Sequence, residues 1–501
     1  MRLNSDVLAH VNFLVGSADT VSEMVNTPAL IPFSEEVINF LNDLSKMLMT
    51  NREGREYSDV VTFAFWIRKA SLLNLKERFT GNISEGSRCS TECSKEFRLG
   101  RGLVFHIAPS NVPVNFAYSL VSSLLCGNSN IVRVPSKHFP QVEIITNAIN
   151  TVLASHQELQ ELKDYQKLKK YIVCCRYEHD KEVNDLFSSI CDVRIIWGGD
   201  RTIEALRQSP LQARSTEITF ADRYSVAVID ATAYLAIGDK DRVAQDFYND
   251  TYFSDQNACT SPRVVIWIAG STGNAENVTS TGNAGNTENA ETDDTAETDR
   301  IAGSTAVNQV VKEAQSLFWQ YLHKLVKEKY KLQAVQAVDK LTRAYIDAVN
   351  IIDTSNAEKR TAVKIETQFD DNLITRVAVA DLSAMINDDV LNNFNNNSGY
   401  FYEYICKGSK GSTESTESTG SKTNNDFLTA LRPLFNDKRC QTVSYIGKPE
   451  MFDVLLESGS GGSSGIKGID RIVPVGQTMD FDLIWDGYDL SRELTRVVTK
   501  I

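Results

Sequence analysis

Short apolar runs alternate with helix-spaced stretches between residues 103 and 208, and this alternation constrains the fold more than any other feature of the chain. Leu103 to Ile107, Asn130 to Val134, Tyr171 to Cys175 and Val193 to Trp197 are strand-length runs rich in β-branched and aromatic residues. Pro113 to Leu125, Phe139 to His156, Glu182 to Ile190 and Arg201 to Gln208 carry apolar residues at helical spacing, and Gly127 is a stop signal after the first of them. Strands apolar on both faces must be covered from both sides. Repeated strand–helix–strand units meet that need as a parallel sheet with helices on each face, an α/β fold. Residues 1–95 read as mainly helical, with amphipathic stretches around 35–49 and 58–79. A second long helical pattern, through Val310, Leu317, Tyr321 and Leu325, runs over 310–350.

Three segments break the pattern. Residues 270–309 lack aromatics and repeat Ser-Thr-Gly-Asn-Ala at 271–275 and 280–284. Residues 407–425 repeat Ser-Thr-Glu, and residues 457–468 are rich in Gly and Ser. Such stretches bury too little apolar surface to offset their ordering entropy, so they are expected to be disordered insertions in surface loops. Much of the net charge of −13 sits in the first, through Glu276, Glu288, Glu291, Asp293, Asp294, Glu297 and Asp299.

Composition excludes several classes. A pI of about 5.1 leaves no basic footprint for a nucleic-acid backbone. The longest lipid-like runs, Phe116 to Cys126 and Val264 to Ile268, are too short to span a bilayer. Asp6 and His10 precede any apolar run, which makes a poor secretory signal. Nine cysteines, an odd number scattered over 501 residues, suit reduced thiols and a cytoplasmic location better than a disulfide framework.

Most of those cysteines read as core. Cys174 and Cys175 lie in an apolar strand, Cys126 ends an apolar helix, and Cys89 and Cys93 lack a second ligand pair, so no metal site is expected. Cys259 differs. It follows Asp255-Gln256-Asn257-Ala258 and precedes Thr260-Ser261-Pro262, a polar turn leading into an apolar strand. A thiolate there has backbone amides at hand for a substrate oxygen, although a polar loop can equally carry an idle cysteine.

Three other places could bind or react. Asn111 follows the first strand of the alternation and stands where ligands gather in open α/β sheets; it could hold an oxyanion or cap the next helix. His106, at the end of that strand, reads as a packed histidine. Arg133, Ser136 and Lys137 end the next strand with two cations and a hydroxyl, which suits a ribose phosphate or a solvated strand end. Gly198-Gly199 turns a strand into a helix, where free amides can meet a pyrophosphate.

Taken in order, these motifs resemble the aldehyde dehydrogenase superfamily and, more closely, the acyl-CoA reductases of bacterial bioluminescence operons. The resemblance rests on the strings at 102–115, 197–200, 220–225, 255–259 and 470–476, the last running on to 480–487; together they reach about half the chain, mainly 97–268 and 431–501. It implies a nucleotide-binding Rossmann-like domain, a catalytic α/β domain and a small oligomerisation element. The expected division is 1–225 for the nucleotide-binding domain with its helical start, 226–470 for the catalytic domain, and 471–501 for a C-terminal segment returning to the core.

Residue by residue, the resemblance implies Cys259 as the acyl-accepting nucleophile and Asn111 as the oxyanion holder. It implies Arg133 beside the adenosine ribose and Gly198 and Gly199 near the cofactor phosphates. Ser136 stands where NAD-preferring members often carry a glutamate, which implies NADPH, with Lys137 assisting. Hydrolytic members place a glutamate base where this chain has Phe220, so reduction of an activated long-chain acyl group to a fatty aldehyde is expected, with the aldehyde supplying bioluminescence. The acyl donor would be an acyl-CoA or acyl-protein thioester. A homotetramer gathered with an acyl-protein synthetase and an acyl-transferase is the implied assembly. Two alternatives stand beside this: an aldehyde or semialdehyde dehydrogenase running oxidatively with Glu217 as base, and a non-catalytic scaffold.

Overall fold

The computed structural model describes residues 5–86, 95–154, 165–269, 295–350, 364–368, 371–379, 398–406, 430–456 and 466–500, with Leu382, Ile386 and Leu391. The chain forms two units. The first comprises Met1–Asp222 and Phe481–Ile501, the second Arg223–Asp480.

The first unit is built on a six-stranded sheet of β1 (Asn12–Val15), β3 (Leu103–Ile107), β4 (Ser129–Arg133), β5 (Ile172–Arg176), β6 (Val193–Trp197) and β7 (Thr216–Phe220), in the order β1-β5-β4-β3-β6-β7. β3 to β7 are parallel, and β1 joins antiparallel to β5. Every residue of β3, β4, β5 and β6 is buried, which is why these strands read as unbroken apolar runs. The expected helices are present as Asn115–Leu125, Pro140–Ala154, Lys181–Ile190 and Asp200–Leu206. The third of these is capped by Asp180, whose Oδ1 accepts the amides of Glu182 at 2.9 Å and Val183 at 3.2 Å.

β3 and β6 are neighbours from which the chain winds outward in opposite directions. That reversal is the topological switch point of a doubly wound sheet, and it opens a crevice beyond the carboxyl ends of these strands. The α/β class with parallel sheets read from the sequence is the observed one.

The mainly helical reading of residues 1–95 is borne out by helices Ala18–Met24, Glu35–Thr50, Ser58–Trp66 and Lys69–Gly86, with two details added. The first 95 residues contain β1, a four-residue edge strand too short to show a periodicity. The stretch 58–79 is two helices, Ser58–Trp66 and Lys69–Gly86. Near the chain end, a ribbon pairs β2 (Lys95–Gly100) with β17 (Thr495–Lys500) and exposes Phe97, Val497 and Val498.

The second unit holds a seven-stranded sheet: β8 (Tyr224–Asp230), β9 (Pro262–Ile268), β10 (Lys364–Gln368), β11 (Ile374–Val379), β12 (Tyr400–Ile405), β13 (Cys440–Ile446) and β14 (Arg471–Pro474), ordered β10-β11-β12-β9-β8-β13-β14. Only β10 runs antiparallel to its neighbour. Because β14 completes this sheet, residues 471–480 belong to the second unit and the return to the first begins at Phe481.

Helix Thr295–Lys329 packs on the sheet through Val311, Ala314, Phe318, Trp319 and Leu322. It takes in residues 295–309, which were expected to be disordered: Ala296, Ala302 and Ala306 favour a helix that the packed turns beyond 310 already nucleate. The remainder of that insertion, 270–294, lies outside the described residues, as do 407–425 and 457–465. Ile466 packs on the second core and Gly468 N donates to Phe435 O at 3.0 Å, so the end of the third insertion is ordered structure.

Candidate active site

The first unit presents its site residues on the loops that follow β3, β4 and β6. Ala108 N donates to Arg133 O at 3.0 Å, which sets the loop after β3 beside the end of β4. Asn111 is an exposed residue of that loop. The helix begins only at Asn115, with Val114 at its N-cap position, so Asn111 is not its cap. His106 is fully buried. Its ring nitrogens bond Ser119 Oγ at 2.8 Å and Asn130 Oδ1 at 3.0 Å, and burial lowers its pKa to about 4, so it is a neutral, satisfied core histidine.

At the end of β4, Arg133 is 8% exposed. Its guanidinium lies 4.8 Å from the Tyr177 ring centroid and donates Nη2 to Tyr177 O at 3.3 Å, while its buried Nε has no hydrogen-bond partner. Ser136 is half-buried and Lys137 exposed, the ammonium 5.0 Å from the Phe139 ring. Arg176, at the end of β5, braces this turn. Its Nε donates to Pro135 O at 3.1 Å, and its Nη1 contacts His138 Nδ1 and Glu143 Oε1, each at 3.1 Å. Arg176 and His138 were missed from sequence. The available signal was that a second parallel strand also ends in an arginine; because Arg133 pairs with Cys175, Arg133 and Arg176 leave the sheet on opposite faces.

The glycine turn after β6 departs from its expected use. Gly198 N donates to Phe220 O at 3.2 Å, so this amide is not free for a phosphate. Asp200 N, opening the short helix, donates to Asp222 Oδ2 at 3.2 Å. A Cβ on residue 199 would fall 2.6 Å from that oxygen, so Gly199 is needed for close approach of the carboxylate.

Neither the position of the missing base nor the alternative Glu217 offers a free carboxylate. Phe220 stacks on Trp197 with ring centroids 3.6 Å apart. Glu217 is held by two arginines: Oε2 accepts Arg194 Nε at 2.9 Å, and Oε1 accepts Arg207 Nε at 2.8 Å. Arg194 is buried and also donates Nη1 to Leu206 O and Ser209 O, so the pair is a structural clamp.

The second unit carries Cys259 on the loop entering β9. Of the seven described cysteines, six are buried and Cys259 alone is half-exposed. Burial raises the thiol pKa of Cys175 and of Cys191 to about 12, keeping these core thiols protonated. The loop before Cys259 is strained: Asp255 and Gln256 both adopt left-handed backbone, with φ of 51° and 54°. Tertiary bonds hold them there. Asp255 Oδ1 accepts Tyr330 Oη at 2.5 Å. Gln256, fully buried, donates Nε2 to Pro262 O at 2.9 Å and Tyr400 O at 3.1 Å, and accepts Gly399 N at 2.9 Å. Ser225 Oγ donates to Cys259 O at 2.8 Å, fixing the carbonyl of Cys259. Gln256 is a third residue that sequence reasoning missed, because two of its three bonds reach Gly399 and Tyr400, far along the chain.

Cys89 and Cys93 lie outside the described residues. Among the described residues no cluster of three or more His, Cys, Asp or Glu could hold a metal, and no helix is long and apolar enough to cross a membrane.

Comparison with known proteins adds to this geometry. A family model described as Acyl-CoA reductase (LuxC) matches residues 34–289, just over half of the chain. The long-chain acyl-protein thioester reductase of Aliivibrio fischeri is 24% identical over 169 residues, covering 34% of this chain and 32% of its own length. The long-chain acyl-protein thioester reductase 2 of Photobacterium leiognathi is 24% identical over 174 residues, covering 34% and 33%. The chain thus spans about a third of the length of the curated relatives it matches. Among solved structures, a 1-pyrroline-5-carboxylate dehydrogenase mutant from Thermus thermophilus superposes with a TM-score of 0.55 at 11% identity, covering 97% of this chain and 86% of its own. A salicylaldehyde dehydrogenase from Pseudomonas putida G7 gives 0.55 at 12% identity, covering 99% and 90%. At these identities the structures speak for the fold.

Proposed function

The chain belongs to the acyl-CoA reductase (LuxC) family, and on that premise we propose that it reduces long-chain acyl thioesters to fatty aldehydes through a thioacyl intermediate on Cys259. The observation that carries this reading is the contrast among thiols. Six described cysteines are buried, and the seventh stands half-exposed on a loop whose strained backbone is pinned by three hydrogen bonds of Gln256. A preset loop lowers the reorganisation needed for attack. The Cys259 thiolate adds to the thioester carbonyl, the Cys259 amide and Asn111 hold the oxyanion, and the donor thiolate leaves. Coenzyme A or an acyl-carrying protein thiol both fit that leaving group.

A nicotinamide cofactor supplies the hydride when bound. The switch-point crevice of the first unit suits it, and the buried, unpartnered Nε of Arg133 offers it a donor. Arg133, Ser136 and Lys137 would hold the ribose end, with Gly198 and Gly199 near the phosphates. With no carboxylate at 136, a 2′-phosphate meets cations alone there, which favours NADPH. Ser136→Glu is expected to raise KM for NADPH about tenfold relative to NADH, roughly 1.4 kcal/mol of like-charge repulsion. Steady-state KM ratios check it.

The clamped Glu217 and the stacked Phe220 favour reduction over the oxidative alternative, because hydrolysis of a thioester to an acid needs a base to activate water. Asn111→Ala is expected to slow acylation of Cys259 about a hundredfold, the usual loss on removing one oxyanion donor, as read by stopped-flow release of coenzyme A. The exposed apolar residues of the β2–β17 ribbon support assembly as a homotetramer. Association with an acyl-protein synthetase and an acyl-transferase, a supply of aldehyde to bioluminescence and a cytoplasmic setting complete the proposal.

The deciding experiment is intact-protein mass after mixing with a long-chain acyl-CoA, followed by NADPH. An acyl-sized gain erased by NADPH with aldehyde released supports the proposal. Release of fatty acid instead would return the oxidative reading.

A further inference from the structure

The stretch 470–480 belongs to a motif that the reaction leaves without a role, yet it is tied to the nucleophile loop by a buried carboxylate. Helix Lys240–Asp250 ends on Asp250, which is fully buried. Its Oδ2 accepts Gly476 N at 2.7 Å and its Oδ1 accepts Thr478 N at 3.0 Å. Gly476 has φ of +96°, and a Cβ there would lie 2.7 Å from Asp246 Cβ, so only glycine lets this backbone reach the helix. From the other side Arg471 donates Nη1 to Thr478 O and Nη2 to Asp480 O, both at 3.0 Å. The residue between them, Met479, accepts Thr260 Oγ1 on its sulfur at 3.3 Å, and Thr260 is the next residue after Cys259.

We propose that Asp250 is a positioning residue for acyl transfer to Cys259: by holding Gly476 and Thr478 it seats Met479 against Thr260 and fixes the wall beside the nucleophile. The proposal rests on the reading of Cys259 as the acyl acceptor. An ionised Asp250 accepts both amides, whereas a protonated one must turn its O–H toward one of them and gives up that bond.

Protonation state separates this role from simple packing. Burial pushes the Asp250 carboxyl up to about 7, against the Gly476 and Thr478 hydrogen bonds and with help from the Asp480 charge. The nearby Asp246 carboxylate is paired with Arg242, and Arg471 donates to the carbonyls of Gln477, Thr478 and Asp480. Because the fold holds this proton more tightly than the unfolded chain, Asp250's share of stability is present at acidic pH and lost as pH rises to about 7. Its hold on the 476–478 backbone strengthens over the same interval. Stability and acyl transfer should therefore move in opposite directions, which a purely structural carboxylate would not produce.

The test compares two rates on Cys259 of the full chain between pH 5.5 and 8.5: acylation by palmitoyl-CoA and alkylation by iodoacetamide. The second reports the thiolate alone. In wild type the ratio of acylation to alkylation is expected to rise about tenfold through pH 7. Asp250→Asn is expected to hold it flat, about tenfold below the wild-type plateau. A flat wild-type ratio, or a variant that keeps the wild-type profile, would overturn the proposal. Hydrogen exchange of wild type needs no variant to fold: the Gly476 and Thr478 amides should gain protection through pH 7 after correction for base catalysis, and unchanged protection would count against the latch. No acylation at any pH would remove the acyl-acceptor reading and the proposal with it, and amides that still gain protection would then show that the latch itself exists.

Discussion

Cys259→Ala is expected to take up no acyl mass from a long-chain acyl-CoA under conditions in which wild type is acylated to completion, and to lose aldehyde formation by at least about a thousandfold. The size follows from the chemistry: without the thiol there is no covalent intermediate, and what remains is catalysis by binding and oxyanion donors alone. No other described cysteine can stand in. Cys126, Cys174, Cys175, Cys191, Cys406 and Cys440 are buried and out of reach, and burial keeps the thiols of Cys126, Cys174, Cys175, Cys191 and Cys440 protonated. The stability of the variant should match wild type within about 0.5 kcal/mol, since the site is half-exposed and the pinning bonds come from neighbouring residues. An equal mass gain in Cys259→Ala would move the nucleophile elsewhere and bring the scaffold alternative forward.

The second large effect is on the fold itself. Gln256→Ala removes three hydrogen bonds at once and leaves Gly399 N, Pro262 O and Tyr400 O buried without those partners. Each lost bond and its unsatisfied partner costs on the order of 1 kcal/mol or more, so about 3–5 kcal/mol of stability should disappear, measured by urea unfolding. Acylation of Cys259 should fall as well under conditions where the variant is still folded, because Gln256 also holds its own left-handed backbone at φ 54°. Gln256→Glu tests the polarity of the network. A carboxylate cannot donate to the two carbonyls, so this near-isosteric change should cost at least as much as alanine. A variant as stable as wild type would show that the loop does not depend on these bonds.

These effects divide along the line between local and distant causes. The four central strands of the first unit's parallel sheet were legible because each carries its own burial in its composition: β3 and β6 matched the expected runs to the residue, and β4 and β5 within one residue, whereas the partly buried β7 was not read. Cys259 was legible because a polar turn before an apolar strand is a local pattern, and Asn111 because it follows a strand in such a sheet. The edge strand β1 was not, since four residues give no period and its pairing partner lies far along the chain. Helix 295–329 began earlier than its composition suggested, because packed turns beyond 310 propagate a helix into residues that would not start one.

What the amino-acid sequence by itself determined was the α/β architecture, the family and which described cysteine stands apart from the core. Each rests on residues adjacent in the chain, whose spacing and polarity are read directly. The tertiary structure alone decided how those residues are held. It clamped Glu217 between Arg194 and Arg207, stacked Phe220 on Trp197, tied Gln256 to β9 and β12, and joined Asp250 to the 476–478 backbone. The partners in most of these bonds are backbone amides and carbonyls, which every residue possesses, so no side-chain pattern along the chain could announce which of them a buried carboxylate or amide would meet.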